Sequence, residues 1–234
     1  MGAACCKPQL SRPWRLGHSK AKGERTMVKA VIFDFGGVIT SSPFEAFARY
    51  EAAHGLPANF IRTVNATNPD SNAWARLERS EISTAQFDSE FRAEALALGH
   101  DVPGGEVLPL LAGDVRPGMV AALKACKAAF KTGCITNNVA SEEDIGWGPS
   151  VKHILAEFDH VIESAKAGLR KPDPRIYLMM CEALGVSPAD CVYLDDLGIN
   201  CKPAAALGMH AIKVTGEAQA LADLAAATGL TFKA

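Results

Sequence analysis

Val28-Lys29-Ala30-Val31-Ile32-Phe33 runs directly into Asp34-Phe35-Gly36-Gly37-Val38. The first six residues are apolar and β-branched apart from one lysine, as in a strand covered on both faces. The next five put a carboxylate and two glycines where that strand ends. Three similar runs follow, Gly133–Thr136 (GCIT), His160–Glu163 (HVIE) and Cys191–Leu194 (CVYL), and His210–Val214 (HAIKV) makes a fifth. Helical stretches separate them: Pro117–Ala129, Pro174–Leu184, Lys202–Leu207 and Glu217–Ala227. Gly185 and Gly208 stand just past two of these, where a glycine closes a helix before the next strand. Strands alternating with helices predict βαβ units, hence a doubly wound, Rossmann-like α/β fold with a parallel sheet.

Residues 42–112 break the alternation. They contain no convincing strand and predict helices at Pro43–His54, Asn59–Asn65 and Thr84–Leu98, the last with Phe87, Phe91, Ala95 and Leu98 on one face. The expected organisation is therefore an α/β core from 27–41 and 113–234, an all-helical cap inserted at 42–112, and a tail at 1–26. The tail carries six basic residues against Glu24 alone, a net of +5, which leaves −7 on the rest of a chain whose total is −2. With no sustained apolar period it cannot offset its ordering entropy, and it reads as disordered. Met27 looks like a natural start. Gly2 with Cys5 and Cys6 hints at acylation, although Cys6 stands where the myristoylation pattern wants Ser or Thr.

Composition excludes several classes. Among 234 residues, 48% are apolar and 21% charged, an ordinary globular balance. No apolar run approaches the ~20 residues that cross a bilayer, so no membrane span is expected. A net charge of −2 gives no general argument for binding nucleic acid, and none is expected as a partner. Seven scattered cysteines without a C-x-x-C pair form neither a disulfide framework nor a zinc site, which suits a cytoplasmic protein. The sequence is silent on oligomeric state.

In a doubly wound sheet, ligands bind beyond the carboxyl ends of the strands. There the sequence offers Asp34 after the first strand, Thr136-Asn137-Asn138 after the second and Lys171 beyond the third. Asp195-Asp196 follows the fourth, with Asn200 four residues on. Each alone reads as turn or capping chemistry. Adjacent carboxylates at the end of a buried strand are harder to dismiss, because they repel unless a cation or hydrogen bonds compensate. Together the four predict a site for Mg²⁺ and a phosphoryl group.

These stretches, VIFDFGGVI, CITNN, GLRKPDP and VYLDDLGIN, stand in the order of the four motifs of the haloacid dehalogenase-like (HAD) hydrolase superfamily, which the chain resembles from about Val28 to Gly216. The likeness is to the members with a helical cap after the first strand. Within them it is to the phosphatase-like domain at the amino end of soluble epoxide hydrolases, and to a similar domain preceding certain acyl-CoA dehydrogenases. The resemblance implies a Mg²⁺-dependent phosphatase of a small phosphorylated metabolite, such as a sugar phosphate. Asp34 would take the phosphoryl group as an aspartyl-phosphate. Thr136 and the Asn137 backbone would bind that group, and Lys171 would neutralise both. Asp34, the Gly36 carbonyl and Asp196 would hold the metal, with Asp195 and Asn200 in support. Glu163 and Ser164 would steady the lysine. Within the cap, Asn72–Glu78 offers Trp74 and Arg76 to the substrate in the manner of a specificity loop; the alternative is that Trp74 and Leu77, three apart, belong to the cap's core and that Arg76 or Arg79 lies on a solvated charged face.

Gly36 departs from the family pattern. Related phosphatases usually carry there a second Asp that protonates the leaving alkoxide, help worth ~10²–10⁴-fold. Three explanations stay open: a substrate with a good leaving group, a donor from the cap or from water, or lost turnover. The last makes the domain a weakly active or inactive module that binds a phosphorylated ligand or a protein. The metal-independent dehalogenase branch, with Tyr at this position, fits less well, and no nucleophile elbow supports epoxide hydrolysis.

Overall fold

The computed structural model describes residues 27–138 and 149–232; the tail at 1–26, including Gly2, Cys5 and Cys6, lies outside them. In chain order the elements are β1 (Ala30–Phe33), α1 (Pro43–Ala53), α2 (Phe60–Ala66), α3 (Ala73–Glu78), α4 (Thr84–Ala97), α5 (Gly104–Val107), α6 (Pro117–Ala129), β2 (Lys131–Thr136), α7 (Pro149–Leu155), β3 (His160–Glu163), α8 (Ser164–Ala167), α9 (Pro174–Leu184), β4 (Cys191–Asp195), α10 (Gly198–Ala206), β5 (His210–Lys213) and α11 (Glu217–Thr228). The five strands form one sheet in the order β3-β2-β1-β4-β5, and every pairing is parallel.

Alternation along β1 shows how the sheet is covered. Val31 and Phe33 face a cluster containing Met119, Leu123 and Cys126 of α6 and Ala220 and Leu224 of α11. Ala30 and Ile32 face Ile176, Tyr177 and Met180 of α9 and Ala204 of α10. All four residues of β1 are fully buried, as the unbroken apolar run requires. Because β1 is central and the chain reverses its direction of travel across the sheet between β3 and β4, the crevice at the carboxyl ends of β1 and β4 is the topological switch point.

Most expected elements end within one residue of the sequence reading, and the larger differences include those at β2, α10 and α3. β2 starts at Lys131, two residues early, because Thr132 is held by Asp159 Oδ2, which accepts from its N–H (2.8 Å) and Oγ1 (3.2 Å). α10 starts at Gly198 rather than Lys202. Its first turn closes when Asn200 and Cys201 donate N–H groups to the Leu197 carbonyl (3.0 and 3.1 Å), so Pro203 falls inside the helix instead of at its start. Pro203 removes one donor, and Ile199, whose carbonyl loses it, is exposed to water. α3 stands where the sequence suggests a loop, since six residues are too few to show a helical period. Asn72 caps it: its Oδ1 accepts from Ala75 N–H (2.8 Å) while its Nδ2 donates to the carbonyls of Asn65 and Thr67.

The helices between β1 and α6 have an apolar cluster of their own, built on Phe47, Phe60, Ile61, Leu77, Phe87, Phe91 and Val107. Helices of 4 to 14 residues are marginal alone, so the packing holds them together. Buried Glu51 adds order by accepting the N–H groups of Asn59 (2.8 Å) and Ile61 (2.9 Å) at the start of α2. The two chain crossings that join this insert to the sheet lie side by side: Ser41 N–H donates to the Asp114 carbonyl (2.8 Å), and Asp114 N–H to Ser41 Oγ (3.0 Å). Among the described residues, no helix is long and apolar enough to cross a membrane.

Candidate active site

Strand register brings the first two carboxylates together. Phe33 is level with Leu194, so Asp34, one residue on, comes level with Asp195, and its N–H donates to the Leu194 carbonyl (2.8 Å). Single carboxylate oxygens of Asp34, Asp195 and Asp196 all lie within 4.8 Å of one another. Lys171, delivered by the loop between α8 and α9, enters this acidic cluster with 1% of its side chain exposed. Its Nζ lies 2.7 Å from Asp34 Oδ1 and 2.8 Å from Asp195 Oδ2.

The two neighbouring aspartates differ in surroundings. Asp195 is fully buried and heavily bonded. Its Oδ2 accepts from Lys171 Nζ, Tyr193 OH (2.5 Å) and Asn200 Nδ2 (3.1 Å), and its Oδ1 from Leu197 N–H (2.8 Å). Asp196 is less buried, lines the cavity and accepts from Ser42 Oγ (3.0 Å). Asp195 is thus placed to orient the lysine, and Asp196 to meet whatever occupies the cavity.

Charge accounts for the protonation tendencies. Burial, reinforced by Asp195 and Asp196, raises the Asp34 carboxyl well above its ordinary value against the opposing pull of Lys171. Burial and Asp195 raise Asp196 likewise, with Ser42 opposing. Burial disfavours the Lys171 ammonium, but Asp195 and Asp34 outweigh it and hold the lysine charged. One ammonium faces three carboxylates, so the cluster lacks positive charge. A hard divalent cation with oxygen ligands fits both the donor set and that deficit.

Asn137 fixes the lysine's backbone: its Oδ1 accepts Lys171 N–H (2.8 Å) and its Nδ2 donates to the Lys171 carbonyl (3.0 Å). Glu163 and Ser164, expected to steady the lysine, instead hold Asn138, through Nδ2 to Glu163 Oε1 and N–H to Ser164 Oγ (both 3.0 Å). The end of β3 therefore reaches Lys171 only through neighbouring asparagines. Thr136, at the end of β2, is buried and lines the same cavity, as do Gly36 and Asn200.

That cavity has a volume of about 620 Å³, roofed by Phe44, Arg62, Asn65 and Glu78 of the insert. Trp74 and Arg76 do not line it. The Trp74 ring packs edge-on against Phe47, Phe87 and Phe91 (centroids 6.2, 5.5 and 6.3 Å apart), because an apolar ring on a short helix is drawn to the insert's own core. Arg76 pairs with Glu90 (2.5 Å) on the outer side. Trp74 thus takes the core place, and Arg76 the charged-face place, that the sequence offers as alternatives to meeting the substrate. The sequence reading does not single out Glu78, Arg170, Ser42 or Tyr193, although an arginine directly before Lys171 is a visible signal.

A haloacid dehalogenase-like hydrolase family model matches residues 28–208. The chain belongs to the haloacid dehalogenase-like hydrolases. It is 31% identical over 221 residues to Bifunctional epoxide hydrolase 2 of Mus musculus, covering 88% of this chain and 40% of that protein. It is 28% identical over 210 residues to Phosphatase MT3486 of Mycobacterium tuberculosis, covering 82% of this chain and 89% of that protein. The chain spans 19% to 40% of the length of the first curated relatives it matches. In fold it is similar to a HAD enzyme of Bacteroides thetaiotaomicron solved with magnesium and inorganic phosphate (TM-score 0.55, 19% identity, 80% of this chain and 93% of that one). For this HAD chain the segment between β1 and α6 occupies the place of a cap.

Proposed function

We propose that the chain is a Mg²⁺-dependent phosphatase of small phosphorylated metabolites, working through an aspartyl-phosphate on Asp34. The observation that carries this reading is the cluster of Asp34, Asp195 and Asp196 bridged by a single buried lysine. Asp34, the Gly36 carbonyl and Asp196 would hold the ion, which when bound screens phosphate charge from the attacking carboxylate.

Asp34 attacks phosphorus in line with the leaving oxygen. Phe35 N–H (2.6 Å) and Lys171 hold its Oδ1, which fixes the carboxylate's plane and the direction of approach. Thr136 Oγ1 and the Asn137 N–H would donate to phosphoryl oxygens, while the Lys171 ammonium offsets charge that develops on them. Water then attacks the acyl phosphate, releasing phosphate and restoring Asp34. The experiment that tests the reading is a screen of phosphate esters with Mg²⁺ or with chelator; no Mg²⁺-dependent release from any ester overturns it.

Gly36 favours a second reading, a site that binds phosphorylated ligands with little turnover. A Cβ built at Gly36 meets nothing within 4 Å, and the residue does not have the positive φ that would strain a side chain, so an acid could stand there and does not. Gly36→Asp is expected to raise kcat by ~10²-fold or more on esters with poor leaving groups and much less on acyl phosphates. Equal gains on both would show that proton donation is not what limits turnover.

Gly37 supports the metal assignment differently. Its φ is +76°, and an added Cβ would sit 2.2 Å from Asp196 Oδ2. Gly37→Ala is expected to push Asp196 aside and weaken Mg²⁺ activation ~10–100-fold, read from the Mg²⁺ dependence of phosphate release. An unaltered Mg²⁺ titration would remove Asp196 from the ligand set.

A further inference from the structure

Arg170 spans the seam between core and cap. Its Nη1 donates to the Pro69 carbonyl (2.9 Å), and its Nε lies 2.7 Å from Oε2 of Glu78, the last residue of α3. Beside it, Ser80 Oγ donates to the Ala165 carbonyl of α8 (2.9 Å). Arg170 Nε and Glu78 Oε2 are sealed from solvent, yet neither makes a well-directed hydrogen bond, so charge and confinement hold them together. Glu78 Oε1 accepts from Trp74 Nε1 (3.0 Å), and Trp74 is packed into the cap's aromatic cluster. On its other side Arg170 is peptide-bonded to Lys171, whose backbone Asn137 clamps and whose Nζ bridges Asp34 and Asp195. A contiguous line of contacts therefore joins the cap's core to the acidic cluster.

We propose that Arg170 is a positioning residue: the Trp74–Glu78–Arg170 strap fixes the cap wall over the cavity at the height the substrate's organic group requires. The proposal rests on the phosphatase reading. The chain crossings at Ser41 and Asp114 lie next to one another, and two adjacent tethers leave a rigid body free to pivot. The strap is a further attachment, made by side chains. It is not an ordinary surface pair: the Glu78 side chain is 9% exposed and that of Arg170 21%. Removing one partner strands the other's charge in a desolvated place, where it is not easily satisfied by water. Burial raises the Glu78 carboxyl above its usual value while Arg170 opposes the rise, in keeping with a charge that depends on its partner.

A strap of this kind acts on the part of the substrate that reaches the cap more than on phosphoryl transfer itself. Arg170→Met, Arg170→Lys and Glu78→Gln, each against wild type, test it with two phosphoryl donors: acetyl phosphate, an acyl phosphate with two carbons beyond the reacting oxygen, and the best larger ester from the screen. Arg170→Met is expected to lower kcat/KM for the larger ester about tenfold more than for acetyl phosphate, chiefly through KM, with Arg170→Lys recovering part of the difference. Hydrogen exchange supplies a readout independent of activity: Arg170→Met should lose amide protection over residues 73–80 and 164–170, with β1 and β4 keeping theirs. Glu78→Gln, which keeps the side-chain shape and removes the charge, should reproduce that pattern if Arg170→Met fails to fold. Equal losses on the two donors, or exchange at the seam unchanged from wild type, overturn the proposal. A wild-type protein that releases phosphate from no ester defeats the phosphatase reading, and the exchange comparison still decides the strap.

Discussion

Asp34→Asn is expected to abolish phosphate release, by at least about 10⁴-fold in kcat, with the fold intact. The expectation follows from two properties of the site. The substituted group is the nucleophile in the proposed mechanism, and an amide cannot form the acyl phosphate. The replacement is nearly isosteric, and an Asn Oδ1 can still accept from Phe35 N–H and Lys171 Nζ, so the β1 turn keeps its geometry. Circular dichroism and the unfolding midpoint check the fold, and phosphate assay at saturating Mg²⁺ checks the chemistry. Activity within tenfold of wild type would mean that another group attacks phosphorus, and the aspartyl-phosphate route would have to be abandoned.

Lys171→Met has a different signature, because the lysine holds both the charge balance and the chemistry. Its ammonium is the cation among three clustered carboxylates, and methionine fills similar volume without charge. Truncating one partner of a buried ionic cluster costs about 3–5 kcal/mol, since the remaining carboxylates stay desolvated and unpaired. A loss of that size is expected in urea unfolding without Mg²⁺. Saturating Mg²⁺ should return part of it, since a ligand at 100 times its Kd stabilises a native state by ~2.7 kcal/mol. Activity should remain at least ~10²-fold down even with Mg²⁺, because a positioned donor to the phosphoryl oxygens is gone. An unchanged midpoint with or without the ion would show that the carboxylates do not share charge as described.

The fold was legible because a parallel sheet buried on both faces leaves short unbroken apolar runs, and all five of those runs form strands. The convergence of Asp34, Lys171, Asp195, Asp196 and Asn200 was legible for a related reason. Parallel strands send their carboxyl ends to one edge, so residues far apart in sequence share a place whose location topology alone dictates. What the sequence did not show was which oxygen each group serves. Asp195 and Asp196 are adjacent and chemically identical; the family resemblance assigns them different roles, but their partners, Tyr193 and Asn200 for one and Ser42 for the other, come only from the way β4 turns their side chains. The cap was read least well. In the sequence α3 is too short for periodicity to decide between a core and a ligand-facing Trp74, and Glu78, four residues on, is the one of this stretch that reaches the cavity. Periodicity reports which face is apolar, and it carries no information on what lies across a seam between two packed units.

The adjacency of Ser41 and Asp114 has a consequence for how such proteins diversify. Whatever is threaded between those two points departs from and returns to nearly one spot, so its length and shape can change without shifting a single strand register. Under the proposed function, the reactive chemistry and much of the choice of customer would then be inherited on separate parts of the gene, so that a lineage could acquire a new diet by exchanging about seventy residues while the furnace beneath keeps burning the same way.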